Sequence, residues 1–203
     1  MKNKLYFGLK KKIDWPKGSF LCIDDEANHP KAKVFDPLKH SFNPLKDITY
    51  KKAREIANVL YTISPEGENT LITVRNGKRA MLKMLMRTKR LDELVLVEDS
   101  GIDEVWAMID DLLESPVLKR VLCSDGNEFQ FGGSNKKVVA RINRAELGEF
   151  DALVLGLFLM AHYKGQLVVP DLGFYGREAH VALVREGRLI AGVNHLAELP
   201  TKL

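Results

Sequence analysis

Apolar residues fall into two spacings along this chain. Short runs rich in β-branched and aromatic residues predict strands at Ser19–Ile23, Ala32–Phe35, Leu94–Val97, Lys137–Ile142, Gln166–Val169 and Leu189–Val193. Leu167-Val168-Val169 is continuous rather than alternating, the mark of a strand covered on both faces, as in a parallel sheet under helices. Between these runs the period changes to three and four. In Thr49–Ile63 the residues Ala53, Ile56, Ala57, Leu60 and Ile63 make one stripe of an amphipathic helix. Asn69–Met86 repeats this with Leu71, Val74, Met81, Leu82 and Leu85. A third helix begins near Ser100 and Asp103, a capping-box-like pair, buries Val105, Trp106, Ile109 and Leu113, and is expected to stop before Pro116. A fourth, about Asp151–Tyr163, is apolar nearly all round and must be central, with Gly165 as its expected terminator.

Strands first, a helical middle and then a strand–helix–strand–strand tail predict an α/β fold with a mostly parallel sheet covered by helices. No repeat, low-complexity tract or linker divides the 203 residues, so one domain over 1–203 is expected, with an α-rich insert at about 49–122.

Composition adds little to this picture. Hydrophobic residues make 45% and charged residues 29%, which excludes wholesale disorder. The first residues carry lysines but no apolar run or small-residue cleavage site, so no secretory signal is read. The longest apolar stretch, Ala152–Ala161, is about half of the roughly 20 residues that span a bilayer. A cytoplasmic protein with no membrane span is expected. A disulfide between Cys22 and Cys123 is open to the sequence, but compartment rules favour two buried free thiols. The net charge of +4 permits an acidic partner such as DNA and does not demand one.

Candidate chemistry is sought where parallel strands end, because ligands of such sheets bind outside the carboxyl ends. Phe35 is followed by Asp36-Pro37, and Val169 by Pro170-Asp171-Leu172-Gly173. Asp36 and Asp171 could hold a metal-bound water if they end neighbouring strands; Asp171 equally suits capping a helix or closing a turn. The Gly132-Gly133 segment runs into an expected strand and reads as a hairpin turn. At Gly77-Lys78, Ile72 and Arg79 stand where a phosphate-binding loop needs Gly and Ser or Thr, so that motif is absent. There is no G-x-S-x-G elbow, no Cys/His set with metal-ligand spacing, and the acids of Asp24-Asp25-Glu26 and Asp110-Asp111 read as solvated. Arg75, Lys78, Arg79, Lys83, Arg87 and Arg90 recur every three or four residues, either as a strip for nucleic-acid phosphates or as a solvated face. No aromatic residue interleaves with them, which argues against stacking on single strands.

Several pieces also fall in a suggestive order. Val34-Phe35-Asp36-Pro37 leads to Phe42-Asn43-Pro44-Leu45; a helical stretch follows; an apolar helix then precedes Gln166-Leu167-Val168-Val169-Pro170-Asp171; Arg185-Glu186-Gly187-Arg188 and Leu189–Asn194 close the series. This order resembles the HerA/FtsK group of DNA-pumping ATPases, which includes the coupling ATPases of bacterial conjugation. The resemblance implies a RecA-like fold, a Walker-B-like Asp171 and a sensor-like Asn194. The sequence departs from the family in having no phosphate-binding loop, Leu172 in place of the catalytic glutamate and Asn194 in place of the sensor glutamine. Without that loop and glutamate, nothing neutralises the phosphates or polarises the attacking water. The resemblance therefore implies a non-catalytic, pseudo-ATPase member with no cofactor. Such a member would act as a binding or assembly component, associating with itself, with an active ATPase or with DNA. A small metal-dependent enzyme on a phosphorylated or nucleic-acid substrate, with metal at Asp36 and Asp171, is the alternative from the residues alone. A basic nucleic-acid-binding module is another.

Overall fold

The computed structural model describes residues 4–7, 15–24, 29–63, 71–96, 103–125, 129–131, 136–175 and 189–193. These belong to two compact units, one formed by 1–39 with 131–203 and the other by 40–130.

All described strands lie in the first unit. They are β1 (Lys4–Phe7), β2 (Phe20–Ile23), β3 (Lys33–Phe35), β4 (Lys137–Ala140), β5 (Gln166–Val169) and β6 (Leu189–Val193). They form one sheet in the order β1-β6-β5-β2-β4-β3, with every pair parallel. Every side chain of β2 and β5 is buried, as the unbroken run Leu167-Val168-Val169 predicted for a strand covered on both faces. This is the α/β, parallel-sheet class expected from the sequence and is consistent with a RecA-like fold. β1, with Lys4 at its head, was not expected; it is an edge strand paired only with β6, too short and mixed to stand out in a hydropathy pattern.

The sheet positions a site through its connectivity. From β2 the chain proceeds to β3 and β4 on one side, then to β5 and β6 on the other. The carboxyl ends of β2 and β5 are therefore neighbours whose connections leave in opposite directions, the switch point where open parallel sheets form a crevice.

The helical unit 40–130 contains α1 (Tyr50–Ile63), α2 (Leu71–Leu85), a 3-10 helix at Leu91–Leu96, α3 (Asp103–Glu114) and α4 (Pro116–Leu122). The stripe of α1 is buried at Ala53, Ile56, Ala57 and Leu60 as expected. In α3 it is Leu112 rather than Leu113 that is buried beside Ile109. The expected strand at Leu94–Val97 is instead the 3-10 helix, because Leu91 and Leu94, one three-residue turn apart, are both buried. Pro116 ends α3 and also opens α4 as its first residue, where a missing N–H costs nothing; the Ser115 hydroxyl caps it by accepting from the Leu118 N–H at 3.2 Å. The Asn-Pro-Leu segment makes a turn in this unit. Buried Asn43 accepts from the Leu45 N–H and donates its amide to the Lys89 carbonyl, each at 2.8 Å.

Two helices of the first unit lie between β4 and β5. Asn143 caps α5 (Arg144–Leu147), accepting from the Ala145 N–H, and Gly148, at φ 84°, joins it to α6 (Glu149–His162). α6 is buried from Val154 to Ala161, as its all-round apolar sequence requires. It ends at Tyr163 rather than through Gly165, whose role is clearance. A Cβ on Gly165 would lie 2.6 Å from the Tyr163 hydroxyl. No helix among the described residues is long and apolar enough to cross a membrane. Cys22 and Cys123 are both free, Cys22 buried as expected and Cys123 only partly so.

Candidate functional site

The carboxyl edge of the sheet gathers side chains from three successive loops. Asp24 follows β2, and its N–H donates to the Ala140 carbonyl at the end of β4 at 3.0 Å. After β4, Arg141 donates its N–H to the Phe35 carbonyl, and the capped turn at Asn143 delivers Arg144 onto α5. After β5, Leu172 turns inward and is fully buried. Its N–H donates to the Gly192 carbonyl of β6, which fixes Asp171 at the mouth of the crevice. Gly192 permits this path, since a Cβ there would run into the Pro170 carbonyl oxygen.

Arg144 and Asp171 meet at this edge. One guanidinium nitrogen of Arg144 donates to Oδ2 of Asp171, with both side chains partly exposed. The same guanidinium lies 4.1 Å from the centroid of the Phe174 ring, so it is held between a carboxylate and a π face. Behind it, the buried Tyr175 phenol lies within electrostatic reach of Arg144, Asp171, Asp24 and Cys22. Burial pushes that phenol well above its ordinary range, the two aspartates adding to the rise and Arg144 opposing it. Burial also raises the Cys22 thiol, with Asp24 contributing, so this sulfur is a core group and not a nucleophile.

Asp36 does a different job. Its Oδ1 accepts from the Leu38 N–H at 3.0 Å, its Oδ2 pairs with Lys39 at 3.1 Å, and its carbonyl accepts from the Lys39 N–H. It closes the turn that ends β3. Asp36 and Asp171 do lie on the same edge of the sheet, but the strands they follow are not neighbours. β4 and β2 stand between β3 and β5, three strand spacings or about 14 Å in all. The alternative in which these two acids meet on one ion at neighbouring strand ends is therefore corrected: ligands of a single cation must lie within a few ångströms of it. No group of three or more His, Cys, Asp or Glu side chains suited to a metal occurs among the described residues. Asn194 lies outside the described residues.

The basic strip divides. Arg79 and Lys83 on α2 and Arg87 in the turn beyond it are exposed at four-residue spacing, and Lys78 is half-buried. Arg75 lies on α2, with its side chain outside the described set. Arg90 is spoken for. It makes bonds of 2.9 and 2.5 Å to Asp92 and 2.8 Å to Asp125, and these hold its pKa above the ordinary value.

Arg144, Phe174 and Tyr175 were not picked out from the sequence, and Asp24 was read only as one of a solvated acidic run. The available signal was positional. Lys137–Ile142 was read as a strand, so the residues after it belong to the same edge as Asp36 and Asp171, and Arg144 is the first cation after its cap. No protein-family model matches this chain, and no curated protein matches it either.

Proposed function

We propose that this chain is a non-catalytic α/β protein of pseudo-ATPase type, related to DNA-translocating ATPases and acting as a binding or assembly component. The observation that carries the reading is the state of the Asp171-Leu172 pair. The carboxylate is engaged by the Arg144 guanidinium, and the residue beside it is an apolar side chain wholly buried in the core. In a nucleotide hydrolase the aspartate at this place serves a magnesium ion and its neighbour orients the attacking water. Here an internal cation meets the first group, and the second has no polar atom to offer. The all-parallel sheet and the position of Asp171 at its switch point support the relation; the buried Leu172 supports the loss of reaction.

Steady-state assays with magnesium and ATP test this directly. No turnover is expected. A rate above about 1 per second, the low end of ordinary enzyme turnover, that disappears in Asp171→Ala would overturn it. The assembly role is tested by light scattering over a concentration series, alone and with DNA; a chain that stays monomeric and binds nothing contradicts that part.

A second reading, a basic nucleic-acid-binding module, is favoured by the exposed row Arg79, Lys83 and Arg87. It is compatible with the first, since an assembly component of a DNA-handling machine can itself hold DNA.

A further inference from the structure

The amino edge of the sheet gathers lysines. Because all strands are parallel, their first residues lie along one edge. Lys33 opens β3, Lys137 opens β4 with Lys136 before it, Lys17 stands three residues ahead of Phe20 in β2, and Lys164 two ahead of Gln166 in β5. Lys31 adds to them two residues before β3. The register brings these starts side by side, with Phe20 opposite both Lys137 and Gln166, and Lys33 opposite Val138. Lys17, Lys31, Lys33 and Lys164 are exposed and Lys136 and Lys137 half-buried. Among the described residues that precede or open these four strands there is no acid. At the carboxyl edge the same strands are followed by both signs, Asp24, Asp36 and Asp171 together with Arg141 after β4.

Aromatic rings sit within this basic row. Trp15 lies 5.1 Å from Phe20 and 5.1 Å from His29, and Phe20 and His29 are 5.2 Å apart, all between centroids. Phe20 is fully buried, so Trp15 and His29, both half-buried, form the rim of the cluster on a core foundation. Lys137 places its Nζ 5.9 Å from the Phe20 centroid, and the His29 ring is held by its Nδ1 accepting from the Lys31 N–H at 3.2 Å.

We propose that this amino edge of the sheet binds single-stranded nucleic acid, its lysines contacting phosphates and the Trp15–His29 rim receiving an unpaired base. A row of cations interleaved with rings is the arrangement that single strands use, because every base has a π face and only unpaired bases can present it. The row crosses four strands, about 14 Å, enough for a few nucleotides and short for a duplex footprint. Among the described residues of this unit the exposed large apolar side chains are Leu38, beyond the carboxyl end of β3, and Phe150, in the first turn of α6, and neither belongs to this row. The α2 strip has no rings, which distinguishes the two surfaces.

The test is binding of a labelled oligo-dT of about 20 nucleotides to the full chain, read by anisotropy across a salt series. Trp106→Phe leaves Trp15 as the only tryptophan, and its emission is expected to be quenched on binding. Lys33→Gln with Lys137→Gln is expected to reduce the log–log salt slope by about 1.4, two contacts at roughly 0.7 each on a single strand. Trp15→Leu is expected to weaken binding about 5- to 160-fold, the range of one lost base stack. Thermal melting of each variant checks the fold; should Trp15→Leu not fold, the quenching and the lysine pair still decide. With α2 silenced by Arg79→Glu and Lys83→Glu, equal affinity for a duplex of the same length overturns the proposal. So does equal quenching by heparin, which would mark a general polyanion surface. Binding unchanged in the lysine pair but abolished by Arg79→Glu with Lys83→Glu also overturns it, by moving the site to α2.

Discussion

The guanidinium of Arg144 binds the carboxylate of Asp171, joining the loop after β4 to the loop after β5 across the intervening end of β2. This pair ties the two loops together at the switch point, and the Arg144 guanidinium lies over the Phe174 ring. Both groups are partly exposed, so solvent screens the pair and its contribution to stability is small, about 0.2–1 kcal/mol. A double-mutant cycle with Arg144→Met and Asp171→Asn, followed by urea unfolding, is expected to return a coupling energy in that range. A coupling above about 3 kcal/mol, as buried pairs give, would contradict the solvent-screened geometry.

Two glycines of the first unit should respond differently to a methyl group. At Gly156 on α6 a Cβ would meet the Tyr175 ring, with Cζ at 2.7 Å, and that ring is buried under the Arg144–Asp171 loops. At Gly192 it would meet the backbone carbonyl of Pro170, which cannot swing aside. Gly156→Ala is expected to cost about 1–3 kcal/mol, the range of overpacked cores. Gly192→Ala should cost at least as much and also shift the 170–172 loop. Chemical denaturation measures both; a neutral Gly192→Ala would contradict the path of that loop.

Alkaline stability carries a signature of the two thiols, Cys22 buried and Cys123 partly so. Cys22 is pushed well above its ordinary value of 9.0, and burial with Asp92 nearby pushes Cys123 up to about 11. Above pH 9 the unfolded chain loses these protons while the native chain keeps them, so the unfolded state binds fewer protons and stability must fall as pH rises. More than about one unit below pH 9 the thiols contribute almost no slope. Unfolding free energies measured from pH 8 to 10.5 should decline, and Cys22→Ala should flatten the decline. Native protein at pH 8 should react with a disulfide reagent at least tenfold more slowly than a free thiol, since so little thiolate is present.

The α2 row makes a prediction separate from that for the amino edge. If Arg79, Lys83 and Arg87 contact phosphates, duplex affinity should fall steeply with salt, with little sequence preference, each contact contributing about 0.9 to the slope. The triple change Arg75→Glu, Arg79→Glu, Lys83→Glu should abolish it. Arg90→Gln should leave DNA affinity nearly unchanged, because its charge is already met by Asp92 and Asp125; the expected cost is in folding.

Much of this protein follows from local sequence. Gln166–Val169 and Leu189–Val193 end where their apolar runs end, and α1 and α6 follow their stripes to within a residue or two, because period and burial are local consequences of composition. The parallel sheet too was legible, since a doubly covered run such as Leu167-Val168-Val169 has few other places to go. Elements with weak local signals were not. β1 is four mixed residues completed by β6, and Leu94 was assigned to a strand because a three-residue spacing of two leucines is invisible until both are seen buried. What only the tertiary structure decided is which strand lies beside which. Asp36 and Asp171 each end a strand, but strand order is set by long-range packing and chain crossover, and it separates them by two strands while delivering Arg144 to Asp171 instead. The same order turns lysines scattered from position 17 to position 164 into one basic edge. No window of sequence contains that edge, because its residues are neighbours only through hydrogen bonds between strands.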